Sequence, residues 1–318
     1  MKIRVPLLVL ALAVGCGSTN SDNTGGTAGT GGTAGMGGIG GAGGQMFSAE
    51  PPLEIGGERP APVVIPRDYD PAVAHPLVIV LHGFGPYTGV IQSAFFGVTD
   101  MVEEKDFVLV LPNGTLNEDG DRFWNGATAC CDPNDAVDDV GYLSGLIEEA
   151  KQVYNIDPKR VYLIGHSNGG FMSFRMACEA SELITAIVSL AGSTFADEAD
   201  CTPATQPVSV LAVHGTADTT ILYDGVPDEY PSAVDTVESF AAAAGCDTQA
   251  STVLGKIDLV GSVPGDETEQ VEYKTGCQGA VDAALWTIEG GSHIPFFYQM
   301  GDTVFADLAT DWLLQHSR

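Results

Sequence analysis

The sequence predicts an α/β fold, a mostly parallel central sheet with helices on both faces, and three observations lead there. Short continuous apolar runs rich in β-branched residues, LVIVL at 77–81 and FVLVL at 107–111, read as strands buried on both faces, as in a parallel sheet. Segments with apolar residues at helical spacing alternate with such runs along the chain, and that alternation makes parallel strand–helix–strand units. The third observation is VYLIGHSNGGF at 161–171, an apolar run that breaks at a glycine-flanked serine and continues as a helix.

In chain order, the first residues precede the fold. A basic MKIR is followed by an apolar stretch at 5–14 that is too short to span a membrane, so 1–15 are expected to be a signal peptide for export. Ala13-Val14-Gly15-Cys16 resembles a bacterial lipobox, although that motif prefers Leu where Ala13 stands. Cys16 is therefore the expected lipidation site, and an ordinary secretory signal with a nearby cysteine is the alternative. Residues 16–49 then form a flexible linker, with GGTAGTGGTAGMGGIGGAGG at its heart. Such composition cannot bury enough apolar surface to offset its ordering entropy. One folded domain is expected over 50–318.

Within it, 58–66 is an early strand whose prolines place it near a sheet edge. The strand at 77–81 ends in His82-Gly83-Phe84-Gly85, and that at 107–111 is closed by Pro112-Asn113-Gly114. Apolar residues at 140, 143, 146, 147, 150 and 154 predict a helix over 139–154, capped by Asp138 or Asp139. Strands follow at 160–164, 184–190, 208–213 and 283–288, and helices at 170–180, 232–244 and 302–315. Residues 250–278 form a long excursion with room for a short strand at 270–274.

Forty-four per cent hydrophobic residues over 318 positions support a substantial core. Thirteen Lys and Arg against 42 Asp and Glu give a net charge of −29. A field of that sign repels nucleic acid and anionic lipid, so no nucleic-acid partner is expected. Membrane association would come only through the N-terminal lipid. Beyond Cys16 six cysteines remain, which in an exported chain suggests disulfides. No CxxC pair or zinc-finger spacing occurs, so metal binding is the weaker reading of these cysteines. The oxygen-bearing cluster Asp119, Asp121, Asp132, Asn134, Asp135, Asp138 and Asp139 lacks the alternation and central glycine of a calcium loop. Its members read as turn and cap residues.

Gly165-His166-Ser167-Asn168-Gly169 between a strand and a helix has the G-x-S-x-G pattern of a nucleophile elbow. A serine nucleophile needs a base to take its proton and a carboxylate to orient that base. Both follow in the order acid then histidine, each after a strand. Asp218 lies in HGTAD behind 208–213, and His293 lies in GGSH behind 283–288. Asp224 and Asp228 rank behind Asp218. Of the other histidines, His82 and His214 are expected to be buried and bonded to backbone. An oxyanion would be met by the backbone N–H of Asn168 and that of Phe84, with Gly85 as the alternative to Phe84.

LVIVLHG, FVLVLPNG, the Trp124-Asn125 and Cys130-Cys131 segment, VDDVGYL, NIDPKRVYLIGHSNGGFMSFRMACE, PVSVLAVHGTADTTILYDG and IEGGSH together resemble one group. It is the secreted polyhydroxybutyrate depolymerase and feruloyl esterase group of α/β-hydrolases, similar to carbohydrate esterase family 1. The likeness runs over about 55–298. It implies a serine esterase with Ser167 as nucleophile, Asp218 as acid and His293 as base. It also implies polymeric or aromatic ester substrates outside the cell and no cofactor or metal. By the same resemblance Trp124 lines the substrate pocket, with core packing as its other reading. Members often follow the histidine with Trp-Pro, whereas here Ile294-Pro295-Phe296-Phe297 follows, which bears on acyl preference. Cys246 and Cys277 are expected to pair across the excursion, and the pairing of Cys130, Cys131, Cys178 and Cys201 stays open. The protein would be lipid-anchored at the cell surface or secreted. A peptidase of the same fold and a catalytically inactive surface binding module are the alternatives.

Overall fold

A computed structural model of the protein describes residues 46–131, 136–201, 206–297 and 304–318. The expected signal peptide, Cys16 and nearly all of the glycine-rich linker lie outside the described residues, as do Asp132, Asn134 and Asp135. What is described belongs to one compact unit, Gln45–Arg318.

The chain begins with β1 (Glu54–Ile55), β2 (Ala61–Val64), β3 (His75–Leu81), α1 (Gly89–Phe96), α2 (Val98–Lys105) and β4 (Val108–Val110). A two-strand ribbon of β5 (Thr115–Leu116) and β6 (Arg122–Phe123) precedes α3 (Asp139–Val153), β7 (Ile156–His166), α4 (Asn168–Glu179) and β8 (Ala186–Leu190). The remainder is β9 (Ser209–Gly215), α5 (Ala233–Ala243), β10 (Thr252–Ile257), β11 (Thr268–Tyr273), β12 (Ala283–Ile288) and α6 (Val304–Leu314).

The main sheet runs β1-β2-β4-β3-β7-β8-β9-β12-β11-β10. Its middle, from β4 to β12, is parallel throughout, and antiparallel pairs finish both edges. Because side chains alternate across a strand, β3 sends Leu77, Ile79 and Leu81 to one core and Val78 and Val80 to the other. The first core receives Leu146 of α3, Phe174 of α4 and Phe240 of α5. The second receives Phe96 of α1, Met101 of α2 and Phe305 of α6. The apolar runs at 77–81 and 107–111 are continuous for that reason: both faces of these strands are covered.

Several expected boundaries shift. The helix expected from 170 starts at Asn168, so it leaves Ser167 directly. Asp138, not Asp139, caps α3 by accepting the Gly141 N–H at 2.7 Å, while Asp139 turns inward to pair with Arg59. The excursion at 250–278 contains the β10–β11 hairpin, whose outer strand is exposed over most of its length. Disulfides join Cys246 to Cys277, Cys178 to Cys201 and the neighbours Cys130 and Cys131.

Candidate active site

The end of β7 and the start of α4 leave no room for side chains beside Ser167. A Cβ at Gly165 would run into the Gly169 carbonyl, and one at Gly169 into the carbonyl of Leu81 on the adjacent strand. The positive φ of this turn is carried by Ser167 itself, at φ 54° and ψ −118°, a region that L-residues rarely occupy. Its N–H donates to the Leu190 carbonyl at 2.8 Å, and its carbonyl receives the Phe171 N–H at 3.0 Å. The strained conformation is thus fixed from both sides.

Strand β9 carries the second group. Asp218 lies three residues past its end, 4% exposed, and Oδ1 accepts the N–H groups of Thr220 (2.8 Å) and Ile221 (3.0 Å). Oδ2 accepts from His293 Nδ1–H at 2.7 Å and lies 3.3 Å from His214 Nε2. Burial alone would raise this carboxyl's pKa. The hydrogen bonds from His214 and His293 outweigh it and hold Asp218 well below the usual carboxylate range. An ionised acceptor at Nδ1 fixes the proton there and leaves Nε2 of His293 free to accept. That nitrogen is 3.0 Å from Ser167 Oγ. The structure therefore brings Ser167, His293 and Asp218 into one hydrogen-bonded series, drawn from the ends of β7, β9 and β12.

The other histidines behave as two kinds. His82 donates from Nδ1 to the Gly83 carbonyl (2.7 Å) and accepts the Gly114 N–H at Nε2 (2.8 Å). Burial lowers its pKa to about 4 and keeps it neutral. His214 donates to the Ile221 carbonyl at 2.9 Å, as expected of a core histidine, but it also faces Asp218. His166 was expected only as an elbow residue. Its Nε2–H donates to the carbonyl of His293 at 2.9 Å, its ring lies 5.1 Å from that of His293, and burial lowers its pKa to about 4. These second contacts of His166 and His214 are invisible in the chain, since strand-ending and glycine-flanked histidines give no sign of what faces them.

Among the described residues, the backbone N–H groups of Asn168 and Phe84 have no intramolecular acceptor. Asn168 is the first residue of α4, where helix geometry leaves amides unpaired. Its side chain grips the neighbouring segment, accepting the Trp124 N–H at 2.6 Å and donating to the Trp124 carbonyl at 2.8 Å. Trp124 itself corrects the expectation that it lines the pocket. It is fully buried, its indole donates to the His82 carbonyl at 3.0 Å, and Arg59 stacks over its ring. It is a core residue bonded to the segments that carry His82 and Asn168. The cleft in front of Ser167 has a volume of about 330 Å³ and is walled chiefly by Phe84, Tyr87, Phe95, Cys131, Ile221 and Ile294. Among the described residues no cluster of His, Cys, Asp and Glu has a metal-holding arrangement.

A family model described as the alpha/beta hydrolase fold matches residues 147–234. The fold is that of the α/β-hydrolases. Feruloyl esterase B of Piromyces equi is 29% identical over 57% of this chain and 32% of its own length. Feruloyl esterase D of Neurospora crassa is 26% identical over 68% of this chain and 63% of its own. The chain thus spans under a third of the first of these relatives and under two thirds of the second. The solved acetyl xylan esterase from Aspergillus awamori superposes with a TM-score of 0.62 at 14% identity, covering 82% of this chain and 97% of that one, a likeness of fold.

Proposed function

We propose that this chain is an exported serine carboxylic-ester hydrolase, with Ser167 as nucleophile, His293 as general base and Asp218 as the group that orients and charges the base. The observation that carries the reading is the Ser167–His293–Asp218 hydrogen-bond series opening on a cleft beside two unpaired amides. Ser167 Oγ attacks the ester carbonyl carbon while Nε2 of His293 takes its proton. The negative oxygen is met by the N–H groups of Asn168 and Phe84, each such donor supporting about 3 kcal/mol of the barrier reduction. Nε2 then protonates the leaving alkoxide as the carbon–oxygen bond breaks, which leaves an acyl-enzyme. Water, deprotonated by the same nitrogen, attacks that acyl group and releases the acid and the free serine. Asp218, ionised and buried, stabilises the imidazolium formed in each half.

The substrate class in this reading is a feruloyl or acetyl polysaccharide ester, or a hydroxybutyrate-type polyester. Relatives whose names are feruloyl esterases support the first. The three disulfides suit an oxidising compartment, in keeping with a signal peptide over 1–15, lipidation at Cys16 and a tether over 16–49 ahead of the catalytic domain at 50–318.

The test is Ser167→Ala against wild type on methyl ferulate, acetylated xylan and p-nitrophenyl butyrate. Loss of kcat/KM by about 10³-fold or more is expected. Turnover retained in the variant would overturn the reading, and equal turnover of matched amides would replace it with a peptidase. Intact-mass spectra of the exported protein check the anchor: an N-terminus other than lipid-modified Cys16 removes it.

A further inference from the structure

Disulfides stabilise mainly by closing a loop in the unfolded chain, and that effect grows with loop length. The Cys130–Cys131 bridge joins sequence neighbours and closes none, so it is not explained as a staple of the fold. The other two bridges span 23 and 31 residues and are. Location distinguishes it further. Cys130 is 2% exposed and packs in a small apolar cluster with Ala127, Phe171, Ile221 and Tyr230. The Asn168 side-chain amide, belonging to the residue that follows Ser167 and whose backbone N–H has no intramolecular acceptor, donates to Cys130 Sγ at 3.7 Å. Cys131, by contrast, is exposed and lines the cleft in front of Ser167. Ile221 belongs to both the cluster and the cleft wall.

The bridge therefore ties an exposed half to an immobile one. Alone, Cys131 would be a short side chain free to rotate away from a bound molecule. Bonded to Cys130, its sulfur is held at the cleft surface by a residue packed beneath it. Disulfide sulfur is soft and polarisable, has no hydrogen to donate and accepts only weakly, so the exposed Cys131 sulfur meets a bound ester chiefly as an apolar surface.

Resting on the esterase reading, we propose that the Cys130–Cys131 disulfide is a specificity-determining wall of the cleft, contacting an apolar group of the bound ester. The cluster behind it supports that wall, and Ile221 extends it toward the Asp218 loop. Discrimination in an apolar pocket amounts to about tenfold or more for each buried methylene. Loss of a fixed wall should therefore weaken large groups more than small ones.

The experiment compares wild type with the double variants Cys130→Ala/Cys131→Ala and Cys130→Ser/Cys131→Ser. One arm varies the acyl part, p-nitrophenyl acetate against hexanoate; the other varies the alcohol part, methyl against hexyl butyrate. Both variants should lose some turnover of every ester. The expected result is a further fall of about tenfold in the kcat/KM ratio of large to small ester in one arm, carried mostly by KM. The arm that moves names the part of the ester that meets the wall. Ratios unchanged within about twofold in both arms would overturn the proposal. Labelling of Ser167 by a fluorophosphonate shows which variants retain a folded site. If the alanine pair is not labelled, the serine pair carries the comparison. If neither is labelled, the bridge is a determinant of the fold and the proposal fails. Failure of the esterase reading is separate, because it is seen in wild type and Ser167→Ala, whatever the cysteine variants do.

Discussion

From Gly165 to Phe171 every residue is buried, whereas from Gly290 to Phe297 exposed residues alternate with buried or half-buried ones, although the two stretches supply the two atoms that stand 3.0 Å apart in the cleft. The first stretch is shaped by what cannot fit: backbone of the neighbouring strand and helix fills the space where side chains at 165 and 169 would be. The second is shaped by what it is tied to. The Gly290 N–H donates to Thr216 Oγ1, the Gly291 carbonyl receives the Ala217 N–H, and the His293 carbonyl receives the His166 ring N–H. Steric exclusion is local and tolerates no change, while hydrogen bonds from residues 74 and 127 positions away are individually modest. Damage to the turn should therefore be all-or-none, and damage to the loop graded.

The sharpest way to break this contrast is Gly169→Ala. The added methyl meets the Leu81 and His82 carbonyls, which are backbone at the end of the central strand β3 and cannot swing aside. Overpacking of a fixed site costs on the order of 1–3 kcal/mol or more, and here the displacement falls on Asn168 and Ser167 themselves. The expected outcome is a loss of kcat/KM of about 10³-fold and a lower melting temperature, followed by ester turnover and thermal unfolding. A variant with near wild-type turnover would show that the turn is not over-determined.

The same contrast explains what the sequence disclosed. Strands β3, β4, β7, β8, β9 and β12 were legible because both faces are covered, which forces unbroken apolar runs. The turn at Ser167 was legible because its steric demand selects glycine at fixed spacing. The positions of Asp218 and His293 could be read from chain order alone, each behind a strand of a parallel sheet. What the chain does not carry is anything set by a distant partner. Strand β10 has no burial alternation because it is an exposed edge, and α1 and α2 are hidden by Gly97, which takes φ 82° between them. Trp124 shows the same limit: nothing in its neighbours says whether an indole points into a cleft or lies behind it. The union of Cys130 with Cys131 was one of several pairings that spacing left open.

His166 links the two stretches, and His166→Phe should give an intermediate effect. The variant keeps ring packing but loses the N–H donated to the His293 carbonyl, so the base is less well placed. The expected result is a fall in kcat of about tenfold to a hundredfold with little change in KM. Stability against pH tests it independently. The folded state holds this imidazole neutral down to about pH 4, while an unfolded histidine takes up a proton near 6.5. Its folded pKa is depressed, so the wild type has the full benefit above about 6.5 and loses it as pH falls toward 4. Phenylalanine has no such proton to gain. At pH 7.5 the variant should be less stable than wild type by about 1 kcal/mol, and the gap should close and reverse between pH 6.5 and 4. Parallel denaturation curves across that window would mean that His166 takes up a proton in the folded protein as readily as in the unfolded chain, so that burial does not keep it neutral.

The smallest effect belongs to Thr216→Val. The two side chains are nearly isosteric, so packing is kept and only the hydroxyl that accepts the Gly290 N–H at 2.8 Å is removed. Thr216 and Gly290 are both exposed, and water can replace the lost acceptor, which limits the cost to about 0.5–1 kcal/mol. The Ala217–Gly291 and His166–His293 bonds remain, so the loop keeps most of its ties. A fall in kcat of about twofold to fivefold is expected, with the rate of Ser167 labelling by a fluorophosphonate reduced to the same degree, since labelling also depends on His293 being in place. A hundredfold loss would mean that one exposed hydrogen bond positions the base, and the loop would then be as intolerant as the turn. A combined Thr216→Val/His166→Phe variant decides between additive ties and a cooperative one. Independent bonds multiply their separate losses, whereas a larger combined loss shows that each bond holds the loop only while the other is present.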